Sequence, residues 1–265
     1  MVNHTPGIPS SYGINSQSFF SFMEPNSLIV FVHGFGGSAL GTWNNFSTML
    51  LLDPLFVKTD ILFYGYDTLK GQAGDHAAEL YAFLCLAENP LASGILPADM
   101  GLAERTYNRI VIVAHSLGAI LARQVLLLAY HSGVSWMDKT NLALFAPAHQ
   151  GANIISLATQ ALPGIMNLLG IFVKFRYPIL SDLDPTTPNG IIDQIRSQTE
   201  HLQNSGRGEF TKAKLVVYAK GDKVVRNIQY LGDVPAKVVP GESHIGVCKP
   251  NDIYNKPFEL LKSLF

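Results

Sequence analysis

RIVIVAHSLGAILARQVLLL, residues 109–128, joins an apolar run to a segment of helical periodicity through one short turn. Residues 110–114 are continuously apolar rather than alternating, which is typical of a parallel strand buried on both faces. After Ser116, apolar residues recur at helical spacing, at Leu117, Ile120, Leu121, Val125 and Leu128. The stretch therefore predicts a buried strand, a tight turn at Ser116 and an amphipathic helix.

Five further runs rich in β-branched and aromatic residues lie on either side of this stretch. They are LIVFV (from Leu28), DILFYGY (from Asp60), NLALFAPA (from Asn141), KLVVYAKGD (from Lys214) and AKVVP (from Ala236). The segments between most of them are long enough for helical crossovers. Alternating strands and helices predict a doubly wound α/β fold, with a mostly parallel sheet and helices on both faces. Ligands of such folds bind beyond the carboxyl ends of the strands.

One interval breaks this alternation, because about sixty residues separate the fourth of the six predicted strands from the fifth. We predict that residues 151–210 form a helical cap inserted in a single domain that spans residues 1–265. The first half of the cap is apolar nearly all round, so Ile165, Leu169 and Phe172 are candidates for lining a substrate pocket. Helices that simply bury one another would give the same pattern.

Charge and targeting signals exclude some classes of partner. The formal net charge of −1 leaves no basic field to attract nucleic acid. The first residues lack a basic region followed by an apolar one, and the apolar stretch 161–175 is interrupted by Pro, Gly, Asn and Lys. We therefore expect a cytoplasmic protein without a spanning helix, with peripheral membrane contact through the cap as an open alternative. Cys85 and Cys248 are predicted to be free thiols.

Ser116 is the candidate nucleophile. It stands between a buried strand and an amphipathic helix with small neighbours at Ala114 and Gly118, which is the context of a nucleophile elbow. Ala114 replaces the first glycine of the usual G-x-S-x-G pattern. A serine hydroxyl needs a base to accept its proton, and the base needs a carboxylate to orient it.

His244 and Asp222 are the candidate base and acid. His244 follows the last predicted strand, and Asp222 ends KLVVYAKGD, so the chain order is Ser, Asp, His. Asp233 is the second candidate for the acid. His149 and His115 lie near the expected site and are assigned instead to the substrate pocket.

The backbone amides of Phe35 and Leu117 are candidates for the oxyanion hole. Leu117 directly follows the candidate nucleophile, and Phe35 lies in the glycine-rich HGFGG loop after the first predicted strand. The sequence has neither the spacing of a phosphate-binding loop nor that of a metal site or a dinucleotide motif. No cofactor and no metal are therefore predicted.

Four blocks of sequence carry a resemblance to a known family. They are VHGFGGSALGTW from Val32, VAHSLGAILAR from Val113, APAHQGA from Ala146, and GDKVV with SHIGVCKP from Gly221 and Ser243. Together they resemble the α/β-hydrolase superfamily, and within it the lipase-like serine esterases related to GPI inositol-deacylases. The family often has Pro-His-x-Gly where this chain has Ala148 between Pro147 and His149.

The resemblance implies hydrolysis of a carboxylic ester, through an acyl-serine, of a lipid or other small-molecule ester. An apolar cap favours an apolar acyl group. Three alternatives stay open: a thioesterase or an acyltransferase that uses the same residues, and a catalytically silent scaffold that binds a lipid or a protein.

Overall fold

The sheet is the centre of the molecule in a computed structural model, which describes residues 3–161, 177–184, 187, 189–240 and 242–265. Its eight strands run in the order β1-β2-β4-β3-β5-β6-β7-β8. The pairs from β4 through β3 to β8 are parallel, whereas β1 and β2 pair antiparallel at the β4 edge. The strands are Ile8–Pro9, Gln17–Phe19, Ser27–Val32, Thr59–Tyr64, Arg109–His115, Thr140–Phe145, Ala213–Ala219 and Lys237–Val239.

Seven α-helices lie within the described residues. In chain order, α1 to α7 are Phe46–Leu52, Ala73–Ala87, Leu117–Ser132, Ile154–Ala161, Ile179–Asp182, Ile191–Asn204 and Lys256–Lys262. Within those same ranges, none of the helices has both the length and the apolar character that crossing a membrane requires.

Helices cover both faces of the sheet, as neighbouring side chains of one strand show. Phe63 of β4 stacks on Phe31 of β3, which in turn contacts Phe46 of α1. The next residue, Tyr64, points to the opposite face and contacts Phe83 of α2 at a ring-centroid distance of 4.9 Å. The predicted α/β-hydrolase class of fold, with a mostly parallel sheet between helices, is confirmed.

All six predicted strands form and pair in parallel, but two features of the sheet differ from the prediction. Strands β1 and β2 were not predicted, because they are only two and three residues long and carry no apolar run. Strand β8 was expected to be buried on both faces, and this is wrong because Lys237 and Val238 are exposed and only Val239 is buried. The reason is that β8 is the last strand of the sheet and has a single neighbour.

The predicted cap region divides into parts with different neighbours. Helix α6 buries Ile192, Ile195, Thr199 and Leu202 and packs against α3. Helix α5 is tied to the start of α2, where Asp182 accepts a hydrogen bond from the amide of Ala73. The predicted pocket residues Ile165, Leu169 and Phe172 lie outside the described residues.

The order of the strands indicates where a ligand would bind. The chain crosses from β3 to β4 in one direction and from β4 to β5 in the other, so the order reverses between β3 and β5. In open α/β sheets, the crevice at the carboxyl ends of the strands beside such a reversal is the usual ligand site. The loop that begins at His33 and the turn at Ser116 meet at this edge.

Candidate active site

The turn at Ser116 is strained and firmly held. Ser116 has φ 53° and ψ −116°, a conformation that residues with a side chain rarely adopt. Its amide donates to the carbonyl of Phe145 at 3.0 Å, and its own carbonyl accepts from the amides of Ala119 and Ala148. Ala148, the residue that departs from the family pattern, therefore supports the turn.

Small residues around the turn allow close approach of two backbones. A Cβ atom at Gly118 would lie 2.4 Å from the carbonyl oxygen of Val32 and 2.6 Å from that of His33. A Cβ atom at Gly34 would lie 2.8 Å from the Cβ of Ser116. Ala114 is fully buried within β5, so its methyl group is packed inside the sheet region where the motif usually has glycine.

Ser116, His244 and Asp222 form one hydrogen-bonded chain. The Nε2 atom of His244 lies 2.9 Å from Oγ of Ser116, and its Nδ1 lies 2.9 Å from Oδ2 of Asp222. Since a carboxylate can only accept, Nδ1 carries the proton and Nε2 faces the hydroxyl as an acceptor. Ser116 and His244 are each only 1% exposed. The three residues come from the ends of β5, β7 and β8, as the sequence predicts for the site.

The surroundings of Asp222 favour its charged form. Burial raises the pKa of this carboxyl, but the contact with His244 and hydrogen bonds from the amides of Val224 and Val225 outweigh it, so the pKa is lowered. Both amides donate to Oδ1, at 2.8 and 3.1 Å, which leaves Oδ2 for His244. A charged carboxylate in this position holds the imidazole in one tautomer and orientation.

Asp233, the second candidate for the acid, has other partners. Its Oδ2 accepts a hydrogen bond from the guanidinium of Arg123, and its Oδ1 accepts from the amide of Ala213. The guanidinium also lies 4.0 Å from the ring centroid of Tyr230. Asp233 therefore belongs to a buried cluster with Arg123 and Tyr230, and the structure does not bring it to His244.

His149 lies beside that cluster. Its ring lies 4.5 Å from the ring of Tyr230, and its Nε2 lies 3.3 Å from the hydroxyl of Tyr218. Burial, followed by the charge of Arg123, lowers the pKa of His149 to about 3. In this position a neutral His149 packs against the strand end, and its assignment to the substrate pocket stays a prediction.

His115 supports the loop that carries His244. Its Nε2 donates to the carbonyl of His244 at 2.9 Å, and burial followed by the charge of the His244 ring lowers the pKa of His115 to about 3. The neutral ring thus fixes the backbone of the candidate base without competing for its proton. His115 also lines the pocket described below, and its assignment to a substrate pocket stays a prediction.

The glycine-rich loop is held by His33 and Tyr66. Nδ1 of His33 donates to the carbonyl of Gly34, and the hydroxyl of Tyr66 donates to the carbonyl of His33 at 2.7 Å. The two rings stack at 4.4 Å. This role of His33 and Tyr66 was not predicted, although their sequence positions after two adjacent parallel strands would have allowed it.

The two candidate oxyanion-hole amides come from different elements. The amide of Phe35 lies in the glycine-rich loop, and that of Leu117 lies at the first turn of α3. Neither amide donates a hydrogen bond to any residue that the structure describes. Leu117 begins α3, where the helix dipole favours negative charge. Phe35 itself is 5% exposed and contacts Tyr177 edge to face at 5.9 Å.

A pocket of about 300 Å³ adjoins this loop. It is lined by the loop residues 34–38, by Gly41 and Thr42, by His115 and Ile245 next to the serine and the histidine, and by Gln160 and Lys249. Gln160 and Lys249 were not singled out in the sequence, since an isolated amide or lysine gives no pattern. The side chains of Ser38, Thr42, Gln160 and Lys249 make this lining polar, so it differs from the apolar pocket that the cap composition predicts.

The two cysteines are free, as predicted. The thiol of Cys248 is buried and faces the carbonyls of Thr42 and Ile245, and burial raises its pKa to about 12. A thiol in this state is a poor nucleophile. Among the residues that the structure describes, no group of three His, Cys, Asp or Glu side chains could hold a metal ion.

Solved structures are similar to this chain over nearly its whole length. A lipase of Bacillus licheniformis, BlEst2 in its mature form, superposes with a TM-score of 0.57 at 17% identity, covering 97% of this chain and 96% of that one. Naproxen esterase of Bacillus subtilis gives 0.53 at 13% identity, covering 100% and 92%. Carboxyl esterase 2 of Tuber melanosporum gives 0.52 at 16% identity, covering 100% and 84%.

Sequence comparison adds no closer relation, because no protein-family model and no curated protein sequence matches the chain. At such identities the superpositions establish a common architecture only. The strand order, the helices on both faces and these superpositions together show that the chain has the α/β-hydrolase fold.

Proposed function

We propose that this protein is a serine hydrolase that cleaves carboxylic esters through an acyl-serine intermediate. The observation that carries the proposal is the hydrogen-bonded chain from Asp222 through His244 to Oγ of Ser116, with 2.9 Å at each link. The strained turn at Ser116 supports it, because strain of this kind is retained where a function requires it. The similar folds described above are those of proteins named as lipases and esterases.

In the first half of the reaction, Oγ of Ser116 attacks the carbonyl carbon of the ester while Nε2 of His244 takes the hydroxyl proton. The carbonyl oxygen becomes an oxyanion, which the amides of Phe35 and Leu117 stabilise. The intermediate then collapses. The bond to the alcohol oxygen breaks, and His244 returns the proton to the leaving alcohol.

In the second half, a water molecule attacks the acyl-serine while His244 takes one of its protons. Collapse of this second intermediate breaks the bond to Oγ, releases the carboxylic acid and returns the proton to Ser116. Asp222 stays charged throughout and stabilises the imidazolium that forms twice in each turnover. The apolar acyl chain is proposed to lie under the cap.

The low exposure of Ser116 and His244 bears on how the reaction starts. At 1% exposure each, neither side chain is open to a substrate in the arrangement described. Tyr177 covers Phe35 from the cap side. We propose that binding of an ester displaces Tyr177 from Phe35 and so gives access to Ser116, as lid movements do in other enzymes.

The experiment that tests the function combines labelling by a fluorophosphonate probe with turnover of p-nitrophenyl esters from acetate to laurate. Wild type is compared with Ser116→Ala and with Ser132→Ala, which removes an exposed serine at the other end of α3. Labelling and turnover should be lost only in Ser116→Ala, by at least about 10³-fold in kcat. A folded wild type that neither reacts with the probe nor hydrolyses any of the esters would support a non-catalytic scaffold instead.

A further inference from the structure

The pocket beside the glycine-rich loop contains one cation and no anion. Lys249 is half-buried there, and its ammonium group makes no ion pair or hydrogen bond with any residue that the structure describes. None of the lining residues is an aspartate or a glutamate. An ammonium group without a counter-ion, in a pocket that holds no carboxylate, is available to bind an anionic ligand.

The position of Lys249 is fixed by the residues on both sides of it. The thiol of Cys248 donates to the carbonyl of Thr42, and the carbonyl of Pro250 accepts hydrogen bonds from Asn44 and Asn45. The amide of Lys249 itself donates to the carbonyl of Gly246. Its Cα is therefore anchored against the loop that follows β3, and only the side chain is free to adjust.

The pocket is adjacent to the reacting groups. Ile245 follows His244 directly, His115 precedes Ser116, and both line the pocket together with Phe35. The positive charge of Lys249 also reaches His115, where it is one of the causes that lower the pKa of that histidine. Ser116 and His244 do not themselves line the pocket, but a group bound there would lie next to the residues that flank them, within reach of an ester held at Ser116.

We propose that this pocket binds an anionic group, a carboxylate or a phosphate, carried by the ester substrate, and that Lys249 supplies the cation. The proposal rests on the esterase function and adds a substrate class to it. The side-chain amide of Gln160 and the hydroxyl groups of Ser38 and Thr42 line the same space and provide further donors. The backbone amides of the loop at Gly36, Gly37, Ser38 and Gly41 already donate within the protein. A volume of about 300 Å³ accommodates a phosphate or a short carboxylate with the atoms that link it to the ester.

The test compares matched neutral and anionic esters. p-Nitrophenyl butyrate is paired with p-nitrophenyl hemisuccinate, which places a carboxylate on the acyl side, and monobutyrin is paired with 1-butyryl-glycerol 3-phosphate, which places a phosphate on the alcohol side. At least one anionic ester should have the higher kcat/KM of its pair. Lys249→Met should lower that kcat/KM by about 10- to 100-fold, mainly through KM, and change the neutral esters less than about 2-fold.

Two control variants separate the local contact from net charge. Lys249→Arg keeps a cation and should retain most of the preference. Lys256→Met removes an exposed lysine at the start of α7 and should leave both esters of each pair unchanged. A parallel loss on neutral and anionic esters in Lys249→Met, or no preference for either anionic ester in wild type, would overturn the proposal.

A binding measurement keeps this proposal separate from the esterase function. Calorimetric titration of wild type with succinate and with inorganic phosphate requires no turnover and should detect binding that Lys249→Met abolishes. If neutral esters are hydrolysed through Ser116 but neither anion binds at Lys249, the esterase function stands and the anion site is wrong. If an anion binds at Lys249 but Ser116→Ala leaves ester turnover unchanged, the anion site stands and the esterase function of Ser116 is wrong.

Discussion

Two buried carboxylates, Asp222 and Asp233, follow the same strand, β7, but have different partners. Asp222 accepts from His244, whose other ring nitrogen faces Ser116. Asp233 is bound by Arg123, whose guanidinium does not lose its proton in proteins. A carboxylate paired with an imidazole can support proton transfer, whereas one paired with a guanidinium can only hold structure. The difference between the two regions therefore lies in the partner and not in burial, since both side chains are at most 3% exposed.

The largest expected effect is on the catalytic side of this comparison. Asp222→Asn keeps the shape of the side chain but no longer fixes the tautomer of His244, so kcat for an ester should fall about 10⁴-fold. Far-UV circular dichroism should show an intact fold. If kcat fell less than about 10-fold, Asp222 would not be the acid of this site.

The matching change on the structural side is Asp233→Asn. It leaves the charge of Arg123 buried without a counter-ion, so the free energy of unfolding should fall by about 3–5 kcal/mol. Activity below the melting temperature should stay within a few-fold of wild type. Urea denaturation and ester turnover measure the two quantities, and a large loss of kcat in the folded variant would erase the distinction between the two carboxylates.

A smaller effect is expected from disturbing the turn without touching either carboxylate. Gly118→Ala places a methyl group against the carbonyls of Val32 and His33, so it should cost about 1–3 kcal/mol of stability and reduce kcat about 10²-fold through displacement of Ser116. The control is Gly74→Ala in the first turn of α2, where no atom lies within 4 Å of the added methyl group. That variant should be stabilised by up to about 1 kcal/mol. Equal stability and equal kcat of the two variants would show that the close backbone contact at Gly118 affects neither the fold nor the turn at Ser116.

The smallest effect is a difference in pH dependence of stability. The pKa of Asp222 is lowered, because contacts with His244 and two amides outweigh burial, so the stability it contributes is lost as pH falls through that pKa. Burial raises the pKa of Asp233 in spite of Arg123, so its protonation favours the folded state, and this contribution is lost as pH rises through that pKa. From neutral to acidic pH, Asp222→Asn should lose less stability than wild type and Asp233→Asn should lose more. Urea midpoints of wild type and both variants, measured at several pH values, test this expectation. Midpoints that shift in parallel with pH in all three proteins would contradict it.

The central sheet could be predicted because its strands are continuous apolar runs. The same rule misses β1 and β2, which are short and pair only at the sheet edge. Helix α6 was assigned to the cap because of its place in a long interval, whereas the spacing of Ile192, Ile195, Thr199 and Leu202 marks a single buried face that suits packing on α3.

The hydrogen-bonded arrangement of Ser116, Asp222 and His244 was predictable, because chain order and strand ends are enough to place these three candidates together. The choice between Asp222 and Asp233 depends on Arg123, which lies on α3 far away in sequence, and sequence order alone does not place it. The sequence does not single out Lys249, because the pocket that it lines is formed by residues far apart in the chain, from the loops after β3 and β8, the end of β5 and helix α4.

Trapping the acyl group on the protein tests most directly whether Ser116 is the nucleophile. Wild type is mixed with p-nitrophenyl acetate, quenched in acid during the initial burst and digested for mass spectrometry. One acetyl group is expected on the peptide that contains Ser116, and none in Ser116→Ala. Product release at the full wild-type rate with no acetyl group on Ser116, or with the group on another residue, would contradict it.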